Sequence, residues 1–375
     1  MGVTNKSQHK KSSKKRLQLS REHQLIILGA LCFIFAGILY WYFSLRPPQL
    51  LNPPLKDLAS TDHVALGIHV DPNRLGSKIY PNIVSSQFSY LTIDGGGSHF
   101  KEVQLAPTIY DFGGADKMVN FAEKHSMPVQ YHHLVWGDQH YLPDWLIHGN
   151  YTKDQIMQIL HDHINTIVDH YKGKIKEYTV VNEAFTENLH VFGLHNWFAD
   201  QLGDQTNYID QMFRWAHEDD PRAKLILNDF DDETRTKVSD TMYVYLKLAK
   251  ARGVPIDGIG MQMHIDANHP PDKQQVIDNM RRFAQIGVPI YVTEFDINTN
   301  NVKGNNTYKQ YLESKITRDI IGACVASKNC VSFDVFGLTN KNDLIKKLTH
   351  TQSRSYILDS RYRPRQQYYA FRSAW

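Results

Sequence analysis

The chain has 375 residues, 42% hydrophobic and 22% charged, an ordinary globular composition with room for one large domain. Its formal charge of +3 is unevenly placed, because residues 1–23 hold Lys6, Lys10, Lys11, Lys14, Lys15, Arg16 and Arg21 against Glu22 alone. The remainder is therefore slightly acidic, which argues against a nucleic-acid-binding body.

The Lys-, Ser- and Gln-rich tail over 1–23 is expected to be disordered and cytosolic. From Leu25 to Phe43 the chain runs 19 residues without a charge, long enough to cross a bilayer as a helix. The expectation is a transmembrane signal-anchor over 24–44, with Trp41 and Tyr42 at the interface. A cleavable signal peptide has a shorter apolar core and a small-x-small cleavage site. Here Ser44-Leu45-Arg46-Pro47-Pro48 follows instead. The anchor is thus expected to stay, single-pass and type II, with the bulk of the chain lumenal or extracellular. Residues 45–60 read as a Pro- and Leu-rich stalk, and 61–375 as the folded domain.

Two features suit that side of a membrane. Asn150-Tyr151-Thr152 and Asn305-Asn306-Thr307 are glycosylation acceptor triplets. Cys32 lies in the apolar run, whereas Cys324 and Cys330 flank a short loop. They are either a disulfide of an oxidising compartment or two free buried thiols.

From residue 61 onward, β-type runs alternate with helix-type segments. The strand candidates are 64–70, 90–94, 128–136, 178–183, 224–229, 258–264, 289–297 and 330–338. Mixed or amphipathic segments at 114–125, 153–171, 206–217, 237–252, 271–286 and 308–326 lie between them. Strand–helix alternation implies a parallel sheet, and eight units over this length fit an α/β TIM barrel. A doubly wound open sheet would bring a Gly-rich phosphate turn, and Gly95-Gly96-Gly97 lacks that spacing.

The C-terminal strand ends form the active face of such a barrel. They carry Lys101 after strand two; His132, His133, Trp136 and Gln139 at and after strand three; and Asn182 and Glu183 at strand four. Asn228 and Asp229, then Gln262 and His264, then Glu294 and Asp296 end the next three. Amides, imidazoles and carboxylates around an aromatic suit a sugar ring, which needs hydroxyl partners and an apolar platform. Tyr178-Thr179-Val180-Val181-Asn182-Glu183 and Ile290-Tyr291-Val292-Thr293-Glu294 each deliver a Glu at a strand exit, which suggests a catalytic pair. Three histidines and several carboxylates offer metal ligands, but no close ligand spacing of the HExxH kind is present. No serine stands in a G-x-S-x-G turn. No cofactor is called for.

With these residues in view, the chain from about 62 to 375 resembles glycoside hydrolase family 10, the retaining endo-β-1,4-xylanases. The likeness rests on Val180-Val181-Asn182-Glu183-Ala184 and Val292-Thr293-Glu294-Phe295-Asp296-Ile297. Further matches are His132 through Gln139, Pro143-Asp144-Trp145, Leu227-Asn228-Asp229, Gly258 through His264 and Tyr368-Tyr369-Ala370-Phe371-Arg372. Cys324 and Cys330, followed by Val335-Phe336-Gly337, look like the family's disulfide loop and last strand.

The resemblance implies a Glu294 nucleophile, a Glu183 acid/base, and double displacement with retention. It implies that Asn182 bonds the sugar 2-hydroxyl and that Gln262 and His264 orient the nucleophile, supported by Asn228 and Asp296. Lys101, His132, Trp136, Gln139 and Phe336 would meet the sugars. The sequence also departs from the pattern. The Glu-Asn pair before the lysine is Gly97 and Ser98, two tryptophans are Phe336 and Leu344, the histidine after Trp136 is Gly137, and an expected Asn is Asp231. The expected substrate is a β-1,4-linked glycan, xylan first, with glucose- or glucuronoxylan-like polymers behind it. The competing reading is a membrane-held, lectin-like glycan-binding protein on the same fold. Gly95-Gly96-Gly97 either opens the glycone side to a bulkier sugar or only makes a turn.

Overall fold

The computed structural model describes residues 20–45, 50–188, 195–204, 206–339 and 356–375, except the side chains of 23–24, 39–45 and 187–188. Most of the basic tail and Leu344 lie outside that set. The chain divides into two compact units, 1–47 and 48–375.

The first unit contains the helix Arg21–Leu45. Its large apolar side chains from Leu25 to Ile38 are exposed, Phe33 the most at 84%. Among the described residues, no helix is long and apolar enough to cross a membrane. The expected span over 24–44 is therefore not supported here. Its far end, with Trp41 and Tyr42, lies outside the described side chains.

The second unit is a closed parallel barrel. Its strands are β1 (Ala65–Val70), β2 (Tyr90–Ile93), β3 (Val129–Trp136), β4 (Glu177–Asn182), β5 (Lys224–Asp229), β6 (Gly258–Met261), β7 (Ile290–Asn298) and β8 (Cys330–Val335). Each pairs with the next, and β8 pairs with both β7 and β1, which closes the ring. Closure sets Ala65 against Ser332 and Val292 against Phe333. The strands are buried on both faces, which is why they read as continuous apolar runs rather than alternating ones.

The helices supply the outer cover. Lys153–Tyr171 starts with a capping box, in which Thr152 and Gln155 satisfy each other's backbone N–H. Its Ile156, Leu160, Ile164, Ile167 and Val168 recur at helical spacing and are buried. Each such side chain contributes roughly 1.5–3 kcal/mol of hydrophobic stabilisation.

Three boundaries differ from expectation. The sixth strand was expected to reach His264, but β6 stops at Met261. Met263 takes a left-handed φ of 62°, and His264–Asp266 pairs separately with the end of β7. The eighth strand ends at Val335 rather than 338, just before Gly337 with its φ of 108°. The expected stalk over 45–60 also needs correction, because the barrel unit begins at residue 48 and already includes most of it. Leu55–Thr61 is a helix whose Leu55 and Ala59 join the core. Arg372 donates to the carbonyls of Leu51, Asn52 and Pro53 at 3.1, 3.1 and 2.6 Å. The domain therefore begins before residue 61.

Cys324 and Cys330 form a disulfide, which removes the free-thiol alternative. It links the helix Asn306–Ser327 to the first residue of β8. Both acceptor asparagines are exposed. Asn305 also caps the helix that follows it, its side chain accepting from Tyr308 N at 3.0 Å.

Candidate active site

The polar residues that end β3 to β7 converge on two carboxyl groups. Asn228 Nδ2 donates to Glu294 Oε1 at 2.9 Å and to Asn182 Oδ1 at 2.8 Å. Thr293 in turn donates to Asn228 Oδ1 at 2.7 Å, which fixes the amide's orientation. Gln262 Nε2 donates to Glu183 Oε1 at 2.8 Å, and Trp136 Nε1 donates to Glu183 Oε2 at 3.0 Å. Gln262 Nε2 also lies 3.4 Å from Asn182 Oδ1. One Asn carbonyl thus joins the settings of both carboxyls.

Glu183 sits just beyond β4 with a left-handed φ of 55°, a conformation that a non-glycine residue holds only when its surroundings impose it. Here they do. Its N–H donates to Asn228 O at 2.8 Å. Asp229 accepts from backbone groups two and three residues on, Phe185 N at 2.6 Å and Thr186 N at 3.2 Å, and from the Thr186 hydroxyl. Asp229 is thus the anchor of the turn that presents Glu183.

The two carboxyls have opposite proton affinities. Burial raises Glu183 to about 8, with the charges of Glu294 and Asp229 adding to it and the Gln262 hydrogen bond offsetting part. Burial also works against ionisation of Glu294, but His132, His264 and His69 outweigh it and hold that carboxyl below its usual value.

His264 lies between two carboxylates, with Nε2 3.1 Å from Glu294 Oε2 and Nδ1 3.1 Å from Asp296 Oδ1. Both neighbours accept, so the ring carries both protons. Burial opposes that charge, yet Asp296 and Glu294 lift His264 to about 10. His132 differs. Its Nδ1 meets the Thr179 hydroxyl at 3.1 Å and its Nε2 faces Glu294 Oε1 at 3.4 Å. Burial lowers its proton affinity, which the charge of Glu294 partly offsets.

The structure therefore brings together Glu183, Glu294, Asn182, Asn228, Gln262, His132, His264, Asp296 and Trp136. One expected contact is corrected: the Gln262 side chain holds Glu183, while its carbonyl oxygen accepts from Glu294 N at 3.0 Å. Phe336 packs edge-on against His69 and His264, with ring centroids 4.6 and 5.2 Å apart. Lys101 lies further out, its ammonium on the His140 carbonyl and 5.2 Å from the Tyr141 ring centre. Gln139 is exposed on the turn after β3 and takes no part in the hydrogen bonds around the carboxyls.

Four contributors were missed in the sequence: His69, Asp94, His99 and Asp334. They lie on or just after β1, β2 and β8, where the strand-end rule applied to the other strands would have found them. Tyr141 was missed as well. It stacks on Trp136 at 4.2 Å and meets His99 at a tilt of 60°, with ring centroids 4.6 Å apart.

The departures have physical counterparts. Gly97 has a φ of 145°, and a Cβ there would lie 2.5 Å from Ala115 N. This favours the turn over the opened pocket. Ser98 is buried and accepts from Gly95 N at 3.0 Å. A Cβ on Gly137 would lie 2.4 Å from the side-chain oxygen of Asn196, which caps the next helix at Ala199 N.

Glu183, Phe230, Asp231, Glu233, Gln262 and His264 line an open cavity of about 760 Å³. Glu294 is not among its lining residues. No group of three or more His, Cys, Asp or Glu among the described residues is arranged to hold a metal.

The model of glycosyl hydrolase family 10 matches residues 54–374. A β-1,4-xylanase from Dictyoglomus thermophilum is 38% identical over 267 residues, covering 71% of this chain and 72% of that protein. Endo-1,4-β-xylanase B of Thermotoga neapolitana is 32% identical over 85% of this chain and 90% of its own length. The crystal structure of xylanase 10B from Thermotoga maritima superposes with a TM-score of 0.77 at 30% identity, covering 86% of this chain and 97% of that one. The same score and identity hold for xylanase 10B of Thermotoga petrophila in complex with xylobiose, over 87% and 98%.

Proposed function

The chain belongs to glycosyl hydrolase family 10, and from that premise we propose that it is a retaining endo-glycosidase that cuts internal β-1,4 linkages of a plant-type polysaccharide, xylan first. The observation that carries this reading is the split between the two carboxyls. Glu183 keeps its proton up to about pH 8, whereas Glu294 is held ionised. A general acid and a nucleophile at one pH require that difference.

In this reading Glu294 attacks the anomeric carbon, forming a glycosyl–enzyme ester, while Glu183 gives its proton to the departing glycosidic oxygen. Glu183 is then the base that takes a proton from the incoming water, and the water oxygen displaces Glu294. Trp136 and Gln262 hold one Glu183 oxygen each. Asn228, His132 and His264 fix Glu294 against rotation. Asn182 accepts from Asn228 and Gln262, which leaves its own N–H groups to meet a sugar hydroxyl. The cavity lined by Glu183 without Glu294 is the leaving-group side.

Product release from a panel of β-1,4 glycans by the full chain, beside Glu183→Gln and Glu294→Gln, tests the proposal. Xylo-oligosaccharides from the parent and from neither variant support it. Affinity for glycan with no turnover, even of an activated aryl glycoside, overturns it in favour of the lectin-like reading.

We also propose that Leu25–Phe43 anchors the enzyme in a membrane, with the basic tail cytosolic and Asn150 and Asn305 open to glycosylation. The uncharged run and its basic flank support this. Retention in the membrane pellet after carbonate extraction is the expected result, and release into the supernatant contradicts it.

A further inference from the structure

His69 is the last residue but one of β1, toward the active face, and is nearly buried. Its Nδ1 lies 3.2 Å from Asp94 Oδ2, and its Nε2 lies 2.8 Å from the carbonyl oxygen of Thr293. A carboxylate and a carbonyl can only accept, so both ring nitrogens carry a proton and His69 is an imidazolium. Thr293 is the residue before Glu294, so this bond grips β7 at the point where it delivers the carboxylate.

The ring is held on its other sides too. Phe336 packs edge-on against it at 4.6 Å, and Asp334 Oδ2 on β8 lies 3.7 Å from Nε2. Asp94 is itself shared, with its second oxygen 3.3 Å from His99 Nε2. His99 Nδ1 lies 3.5 Å from Glu102, which accepts from Gly97 N at 3.0 Å. Acidic and basic groups thus alternate from the Gly95-Gly96-Gly97 turn to the backbone of β7.

Resting on the glycosidase reading above, we infer that His69 is a positioning residue for Glu294, fixing the end of β7 through the Thr293 carbonyl and adding a positive charge that keeps the carboxylate ionised. The groups facing His69 are Asp94 from β2, Asp334 from β8, Glu294 from β7, and His132 from β3, with His99 behind Asp94. Burial opposes its charge, but Asp334, Asp94 and Glu294 outweigh that and raise it to about 9. Glu294 faces His132, His264, Glu183 and Asp334 besides His69. His69 is therefore one of several groups that hold its charge.

The test is the pH profile of kcat/KM for the full-length His69→Gln variant on an aryl β-xyloside. The acidic limb reports ionisation of the nucleophile in the free enzyme. Removing a nearby cation raises the proton affinity of Glu294 and moves that limb to higher pH, by about one unit. At pH values below the limb kcat/KM falls about tenfold. A role in folding alone would lower the melting temperature and the plateau without moving the limb, and an unmoved limb in a folded variant overturns the inference. If His69→Gln does not fold, His69→Asn serves the same comparison. In the unaltered protein, selective nitrogen-15 labelling gives a second reading. Two protonated ring nitrogens at His69 at pH 6 are expected, and a single one overturns the inference. A parent with no turnover of any glycoside overturns the glycosidase reading together with this one, whereas an active parent with an unmoved variant overturns this one alone.

Discussion

Gln262 donates its amide hydrogen to Glu183, one residue beyond β4, although it stands on the same stretch of chain as His264, which serves Glu294. The residues between β6 and β7 therefore divide their work between the two carboxyls. A hydrogen bond from Gln262 favours ionised Glu183 and partly offsets the effect of burial. Replacing Gln262 with Met removes that bond and raises Glu183 above its value of about 8. The alkaline limb of the kcat/KM profile, which reports loss of the general acid, is expected to move to higher pH. A limb that stays or moves down contradicts the assignment.

Glu183→Gln and Glu294→Gln are expected to fail differently. Without Glu294 no glycosyl–enzyme ester forms, and turnover is lost for every substrate. Without Glu183 the loss is about 10²–10⁴-fold on xylan, but it shrinks for an aryl glycoside whose leaving group needs no proton. Comparing the two substrates in single-turnover experiments separates the roles.

Restoring the family's glutamate at Gly97 is expected to do harm. Its φ of 145° and the 2.5 Å approach to Ala115 N leave no place for a Cβ. Gly97→Glu should destabilise the fold by about 1–3 kcal/mol and weaken xylo-oligosaccharide binding rather than tighten it. Denaturant titration and calorimetry check the two parts.

Reduction of the Cys324–Cys330 bridge gives a smaller, purely structural effect. The cysteines are six residues apart, and freeing so short a loop in the unfolded chain costs about 2 kcal/mol. A Cys324→Ser, Cys330→Ser double variant should melt several degrees lower while its pH profile is unchanged.

The strands that carry the site were legible in the sequence because each is a β-branched, doubly buried run with an abrupt polar end. Thr179-Val180-Val181-Asn182 and Tyr291-Val292-Thr293-Glu294 are the clearest. The two converging carboxyls, Glu183 and Glu294, and the amides beside them followed from those ends. The tie of Gln262 to Glu183 was not legible, since it depends on the break at Met263 with its left-handed φ. The residues around His69 stand at strand ends and could have been found one by one, but their pairing could not, because the β1–β8 closure brings together residues separated by most of the chain. Most of the stalk was misread because Leu55 and Ala59 form too short an apolar pattern to reveal their packing, and because the clasp of Arg372 on residues 51–53 is set by the far end of the chain.

The most direct test of the central claim is proton NMR of xylo-oligosaccharide hydrolysis by the full-length protein, followed from the first minutes. Double displacement through Glu294 predicts that the new reducing end appears first as the β anomer and that the Glu294→Gln variant gives none. First appearance of the α anomer, or equal release by the variant, would contradict it.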